Sequence, residues 1–206
     1  MDTWKKFDAE REALCKDLAG LEASQWDTQS LCAEWRVRHV VAHLVFESTM
    51  TAGKLIIGVL KNGMNGDRYI ARQGLAAGSA SPESLLGQLR ATIGIHRAPP
   101  TAKPVVALED TVCHSADIRR PLGIDRKLPD DTLVEVAENL KSAGFPLHTK
   151  KRISGLRLLA TDVPWSTGDG PTVEGPLESL ILAMAGRRAA LDDLAGEGVA
   201  TLSSRK

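Results

Sequence analysis

Two stretches of this sequence carry imidazole and carboxylate groups at helical spacing. In the first, His39, His43 and Glu47 fall at i, i+4 and i+8, so on a helix they share one face. His43 lies within VVAHLVF, whose aliphatic residues turn it toward an interior. In the second, VVALEDTVCHSADIRRPLG, Asp110 and His114 are again four apart and project toward a common point. A third donor from a facing helix would complete a facial set and leave coordination positions open for water or substrate. Two imidazoles and one carboxylate suit a late divalent metal, Zn²⁺ first and Ni²⁺ or another such ion second, and open positions imply a catalytic site. Spacing alone leaves rivals standing. Glu109, Cys113 and Asp117 fall at i, i+4 and i+8, and His39 competes with His43. A histidine among aliphatics is also more often a hydrogen-bonded core residue than a ligand.

These side chains need helices to hold them, and the apolar periodicity supplies helices. Trp4, Phe7, Leu14 and Leu18 recur at helical spacing and predict a helix over 3–20. A long run from Val37 to Leu60 predicts a second helix, ended by Asn62 and Gly63. A weaker helix is expected over Asp67–Ala77. Ser81-Pro82-Glu83 places a cap, a first-turn proline and an acid in order, opening a helix with Leu85, Leu86, Leu89 and Ile93 on its apolar stripe. Pro104 opens the helix that carries Asp110 and His114, and Pro121 with Gly123 stops it near Arg120. Asp131–Ala143 should bury Leu133, Val136 and Leu140. The register then changes. Ile153–Thr161 reads as a strand, Gly168-Asp169-Gly170 as the turn of a short hairpin, and a last helical region runs from Gly175-Pro176 to Leu194, broken near Gly186. The expected fold is mainly α: a helical bundle over 1–150 and a small C-terminal αβ region over 151–206.

Composition narrows the partners. The 206 residues are 43% hydrophobic, enough for a packed core, while aromatics at 4% leave the packing to Leu, Val, Ile and Ala. Lys plus Arg (26) balance Asp plus Glu (26), without the basic excess expected of a nucleic-acid binder. A small molecule or a second copy of the chain, as a homodimer, is the expected partner. The N-terminus lacks the apolar region of a signal peptide and no apolar stretch approaches a membrane span. Three widely spaced cysteines, Cys15, Cys32 and Cys113, form no disulfide framework. The cytoplasm is the expected location.

Three longer motifs carry a resemblance. Cys32–Val45, CAEWRVRHVVAHLV, resembles the C-x-x-W-x-V-x-x-x-x-x-H-L motif of the mycothiol-dependent maleylpyruvate isomerase family, which lies within the DinB-like metal-binding helix bundles. Asp110–Gly123, DTVCHSADIRRPLG, is similar to that family's acid-x-x-x-His-x-x-D-I-x-R-P-L-G. Gly155–Pro176 and the following LAMAGRRAALDDLAG resemble its C-terminal region. The resemblance implies a DinB-like four-helix bundle whose metal is held by His43, Asp110 and His114. It also implies mycothiol as a thiol cosubstrate, activated for attack on an electrophilic small molecule by an isomerase or thiol S-transferase. A non-catalytic metal-binding or regulatory module of the same fold is the alternative. Trp35 would line the pocket, Asp117 would orient a ligand or cofactor, and Arg119 with Arg120 would bind a substrate carboxylate. Asp117 could equally be an exposed carboxylate near Arg120, and cations in a last helical turn are favoured by the helix dipole alone.

Two departures stand out. Where the family carries glutamate this chain has Asp110, a shorter ligand that asks its helix to approach more closely. The family's Ser or Thr after the tryptophan, and the acid three residues on, are replaced by Arg36 and His39. The capping box they form would be lost, leaving His39 as a substrate-side group or a surface substitution. The C-terminal region also reads as shorter than that of a complete isomerase.

Overall fold

The computed structural model describes residues 2–98, 102–144 and 147–205. It divides into two compact units, Met1–Asp125 and Arg126–Lys206, so the division falls before the expected boundary at residue 150. The helix over 130–140 accordingly groups with the C-terminal unit.

In the first unit, helix α1 (Thr3–Ala19) buries Phe7, Leu14 and Leu18 as the periodicity requires. Helix α2 (Val37–Thr49) carries His43, α3 spans Ala52–Lys61 and α4 spans Gly66–Ala77. Helix α5 (Pro82–Arg90) starts as expected, the Ser81 hydroxyl accepting from the Ser84 N–H at 3.3 Å. Helix α6 (Pro104–Arg119) carries Asp110 and His114, passes into a 3₁₀ turn over Arg120–Leu122, and ends at Gly123, whose φ of 66° is left-handed. Helices α1 and α2 each pack against both α5 and α6, the closed ring of a four-helix bundle. Leu14, Leu18, Trp26, Val40, Val41, Leu44, Leu85, Leu89 and Ile118 fill its core. Helix α4 lies on α2, and α3 on α4.

The expected single helix over 37–60 is two. Met50 and Thr51 are extended, and the cause is local. The hydroxyls of Ser48 and Thr49 turn back onto the carbonyls of Leu44 and Val45, and Thr51 caps α3 by accepting from the Lys54 N–H at 3.3 Å. Consecutive hydroxyl residues offer the backbone alternatives to helix continuation, which an apolar-periodicity argument does not weigh.

The second unit begins with α7 (Asp130–Leu140), which buries Leu133, Val136 and Leu140. A short α8 (Thr149–Arg152) precedes β1 (Arg157–Ala160), so the expected strand over 153–161 is trimmed at both ends. Strand β2 (Ser166–Thr167) pairs antiparallel with β1, and β3 (Thr172–Gly175) pairs parallel with it, with Leu158 opposite Thr167 on one side and Val173 on the other. The expected hairpin at Gly168–Gly170 is therefore not a hairpin. β2 and β3 lie on opposite edges of β1, and the glycine segment crosses the start of that strand. A Cβ on Gly168 would lie 2.2 Å from the Leu156 carbonyl oxygen, and one on Gly170 2.4 Å from that of Gly155. Only glycine permits so close a crossing. Helix α9 (Leu177–Met184) is buried along its length and packs on α7 and β1. A 3₁₀ segment, Arg188–Asp193, and α10 (Val199–Ser204), which the sequence did not announce, complete the unit. Among the described residues no helix is long and apolar enough to cross a membrane.

Candidate metal centre

Helices α2 and α6 face each other in the bundle and bring their polar positions together. His43 Nε2 lies 3.6 Å from Asp110 Oδ1, and His114 Nε2 lies 3.4 Å from the same oxygen. The donor atoms of the three residues all fall within 4.8 Å of one another. Donors about 2.0–2.1 Å from one ion at tetrahedral angles stand about 3.3–3.4 Å apart, so the spacing fits a shared divalent ion. The shorter arm of Asp110 still reaches both imidazoles.

Surrounding groups fix the orientation of this set. Asp117, one turn beyond His114, is fully buried, and its Oδ2 sits 2.8 Å from His114 Nδ1. A carboxylate on the far nitrogen fixes the tautomer and turns Nε2 toward Asp110, the arrangement that supports metal-bound histidines. The Cys32 thiol donates to Asp117 Oδ2 at 3.1 Å, and its sulfur stands 3.9 Å from His114 Nδ1. The loop bearing Cys32 is tied to α6 where the Leu31 N–H donates to the Asp117 carbonyl at 3.1 Å. Trp35, on the same loop, covers both imidazoles, its ring centre 4.9 Å from that of His43 and 6.1 Å from that of His114. His43 lacks such support. Its Nδ1 is buried with no hydrogen-bond partner among the described residues.

The electrostatics follow from burial and neighbours. Burial pulls the His114 imidazole down, but the charge of Asp110 and hydrogen bonds to Asp110 and Asp117 outweigh it and lift His114 well above its ordinary value. Asp110 is held well below the usual carboxylate range, because the two imidazoles overcome the cost of its burial. Burial lowers His43. Glu47, whose Oε1 is 3.8 Å from His43 Nε2, is pushed up to about 8 by burial and then by Asp110. Beneath them Arg11 is 1% exposed, donating to Thr111 Oγ1, the Leu44 carbonyl and Thr92 Oγ1, with its guanidinium over the Phe7 ring. Burial lowers it to about 10. It supplies a buried positive charge facing the two carboxylates.

Of the residues singled out in the sequence, His43, Asp110 and His114 converge, with Trp35 and Asp117 around them. The rival set Glu109, Cys113 and Asp117 does not gather; the second group of metal-capable side chains among the described residues is Cys32, His114 and Asp117. Asp117 is not an exposed carboxylate of α6's last turn: it is fully buried and its Oδ2 meets both His114 and Cys32. Arg119 is 2% exposed and, at about 100° per residue, lies on the side of α6 opposite Asp110, His114 and Asp117. His39 is at the start of α2, where its Nδ1 accepts from the Arg36 N–H at 3.1 Å. The capping box is thus half kept: histidine replaces the family's acid as acceptor, and burial plus Arg38 and Arg36 lower its pKa, preserving the lone pair. Cys32 was missed as a site residue; its place as the first letter of the CAEW motif was the available signal.

Residues 7–104 match the model of the mycothiol maleylpyruvate isomerase N-terminal domain. The family resemblance read from the motifs holds. The matched segment contains His43 and ends where α6 begins, so Asp110 and His114 lie beyond it. No curated protein sequence matches the chain. The fold is similar to the crystal structure of the mycothiol-dependent maleylpyruvate isomerase (TM-score 0.67, 13% identity, 95% of this chain and 91% of that chain). It is similarly close to a histidine-to-alanine mutant of that isomerase (TM-score 0.66, 12% identity, the same coverage).

Proposed function

We propose that this chain is a metal-dependent enzyme of the mycothiol-dependent isomerase or thiol S-transferase type, acting in the cytoplasm on an electrophilic small molecule. The observation that supports it best is the convergence of His43 Nε2 and His114 Nε2 on Asp110 Oδ1, at 3.6 and 3.4 Å, with Asp117 behind His114. His43, Asp110 and His114 would hold a divalent ion, Zn²⁺ first. Bound there, such an ion lowers the pKa of a ligated thiol so that its thiolate exists at neutral pH. The protein's own contribution is orientation and shielding. Asp117 fixes the His114 tautomer, Trp35 screens the imidazoles from water on the loop side, and Arg11 offsets the buried carboxylates. Free thiols at Cys15, Cys32 and Cys113 are in keeping with a reducing compartment.

Mycothiol-dependent isomerisation of a maleyl-type acid, or conjugation of a model electrophile, tests the reading. Activity should require both thiol and metal and vanish in His114→Ala. Thiol-independent turnover, or none with any electrophile by a metal-loaded protein, would refute it. Glu47 supports the second reading, a non-catalytic metal-binding or regulatory module. It stands near enough to His43 to act as a fourth protein donor, and four protein ligands are the mark of a structural site. X-ray absorption of the Zn²⁺-loaded chain separates the two: three protein donors plus water favour the enzyme, four protein donors the module.

A further inference from the structure

The C-terminal unit contains a cavity of about 230 Å³ that the metal chemistry does not use. Arg152, Arg187, Arg188 and Arg205 line it, with Leu191 and Leu202 forming an apolar wall. The chain as a whole has no net charge, yet four arginines line this one hollow. Burial first, and then the neighbouring Arg187, lower the Arg152 pKa.

The internal hydrogen bonds of Arg152, Arg188 and Arg205 hold these three side chains in position through neutral carbonyl and hydroxyl acceptors. Arg152 spends Nη1 on the carbonyls of Leu147 and Met184, at 3.0 and 2.6 Å. Arg205 spends Nη1 on the carbonyls of Arg152 and Ser154, both at 2.7 Å. Arg188 donates to the Ser203 carbonyl at 3.0 Å and to its hydroxyl at 3.4 Å. Among the described residues, no carboxylate meets Arg152, Arg188 or Arg205. Nε and Nη2 of Arg152 and Arg205 have no partner there either, and none of these four nitrogens is among the buried unsatisfied atoms, so they face solvent. Gly186 makes room for the group: its φ is +89°, and a Cβ would lie 3.2 Å from Arg152 Nη2.

Preoriented guanidinium forks with spare N–H donors bind oxyanions, and closely spaced cations are stabilised by one. We propose that this cavity is an anion site for a small molecule that carries a dianionic oxygen group, a phosphoryl group or a pair of carboxylates, with its carbon skeleton against Leu191 and Leu202. The volume is below that of a drug-sized ligand site, which suits a fragment-sized ligand.

Titration calorimetry on the metal-free full chain, at constant ionic strength, tests this with inorganic phosphate in one arm and succinate in the other. Removing metal keeps anion ligation at the His43 centre out of the signal, and the His114→Ala variant should bind the anion unchanged. At least one anion should bind saturably, the preferred arm identifying the group as phosphoryl or dicarboxylate. Arg188→Gln combined with Arg205→Gln should weaken binding at least about tenfold, the loss of two charge-assisted donors. In the unmutated chain the same anion should slow phenylglyoxal labelling of Arg152, Arg188 and Arg205. Absence of saturable binding in both arms, undiminished binding by a folded double variant, or labelling rates indifferent to the anion would each overturn the proposal.

Discussion

Asp117 is the residue whose setting says most about the centre. It sits one turn past His114, at zero exposure, and its acceptor atom is shared by an imidazole and the Cys32 thiol. Asp117→Asn keeps the volume and all three proposed ligand residues but offers His114 Nδ1 a neutral, ambiguous partner. Metal affinity should fall about 10- to 100-fold, read by competition with a chelating dye; unchanged affinity would mean that Asp117 does not orient the ligand. At this scale the sequence was informative where spacing and motif agreed. Asp110 and His114 were legible as an i, i+4 pair, and the motif singled out His43 over His39. Glu47 was legible on the face of His43 through its i, i+4 spacing, whereas Cys32 was not read as a site residue, because its proximity to His114 and Asp117 depends on a loop whose approach no spacing encodes.

The helices were legible through apolar periodicity and caps, and the misses have local causes. The break at Met50–Thr51 comes from hydroxyl side chains competing for backbone groups. The misread hairpin comes from glycines that serve a backbone crossing rather than a turn between neighbouring strands. The start of α2 is the element on which the site most depends, because it sets the register of His43. His39 holds this start, and α4 packs so closely there that a Cβ on Gly78 would lie 2.3 Å from His39 Cδ2 and 3.2 Å from its Cα. Gly78→Ala should therefore destabilise the protein by about 1–3 kcal/mol, the usual cost of overpacking, measured by urea unfolding. A change within about 0.5 kcal/mol, typical of an unconstrained surface site, would show that the α2–α4 contact does not brace this start.

For the molecule as a whole, the mainly helical class and the αβ character of the C-terminal region were readable from periodicity. The division at residue 125 was not, because α7 has the periodicity of a bundle helix and only its packing on α9 assigns it. The buried charges of the centre link global stability to pH. His114 is raised in the folded chain, so without metal its contribution is fully present below its ordinary value of 6.5 and is lost as pH rises toward the higher folded value. Asp110 is depressed, so its contribution is present above its ordinary 3.8 and is lost only on strong acidification. The chelated protein should lose stability as pH is raised from 6.5. The metal-loaded protein should not, since metal takes the place of the His114 proton and binds more tightly as that proton is released. Parallel thermal unfolding across that pH window checks this, and identical profiles with and without metal would count against a His114-ligated ion.

Metal content tests the shared site most directly. Protein purified without a nickel column and equilibrated with Zn²⁺ should retain about one equivalent after removal of excess ion, as expected for one three-ligand site. His43→Ala and His114→Ala, each verified as folded, should retain almost none. A folded wild-type chain that retains no metal, or variants that retain as much as wild type, would contradict the assignment of His43, Asp110 and His114 as a metal centre.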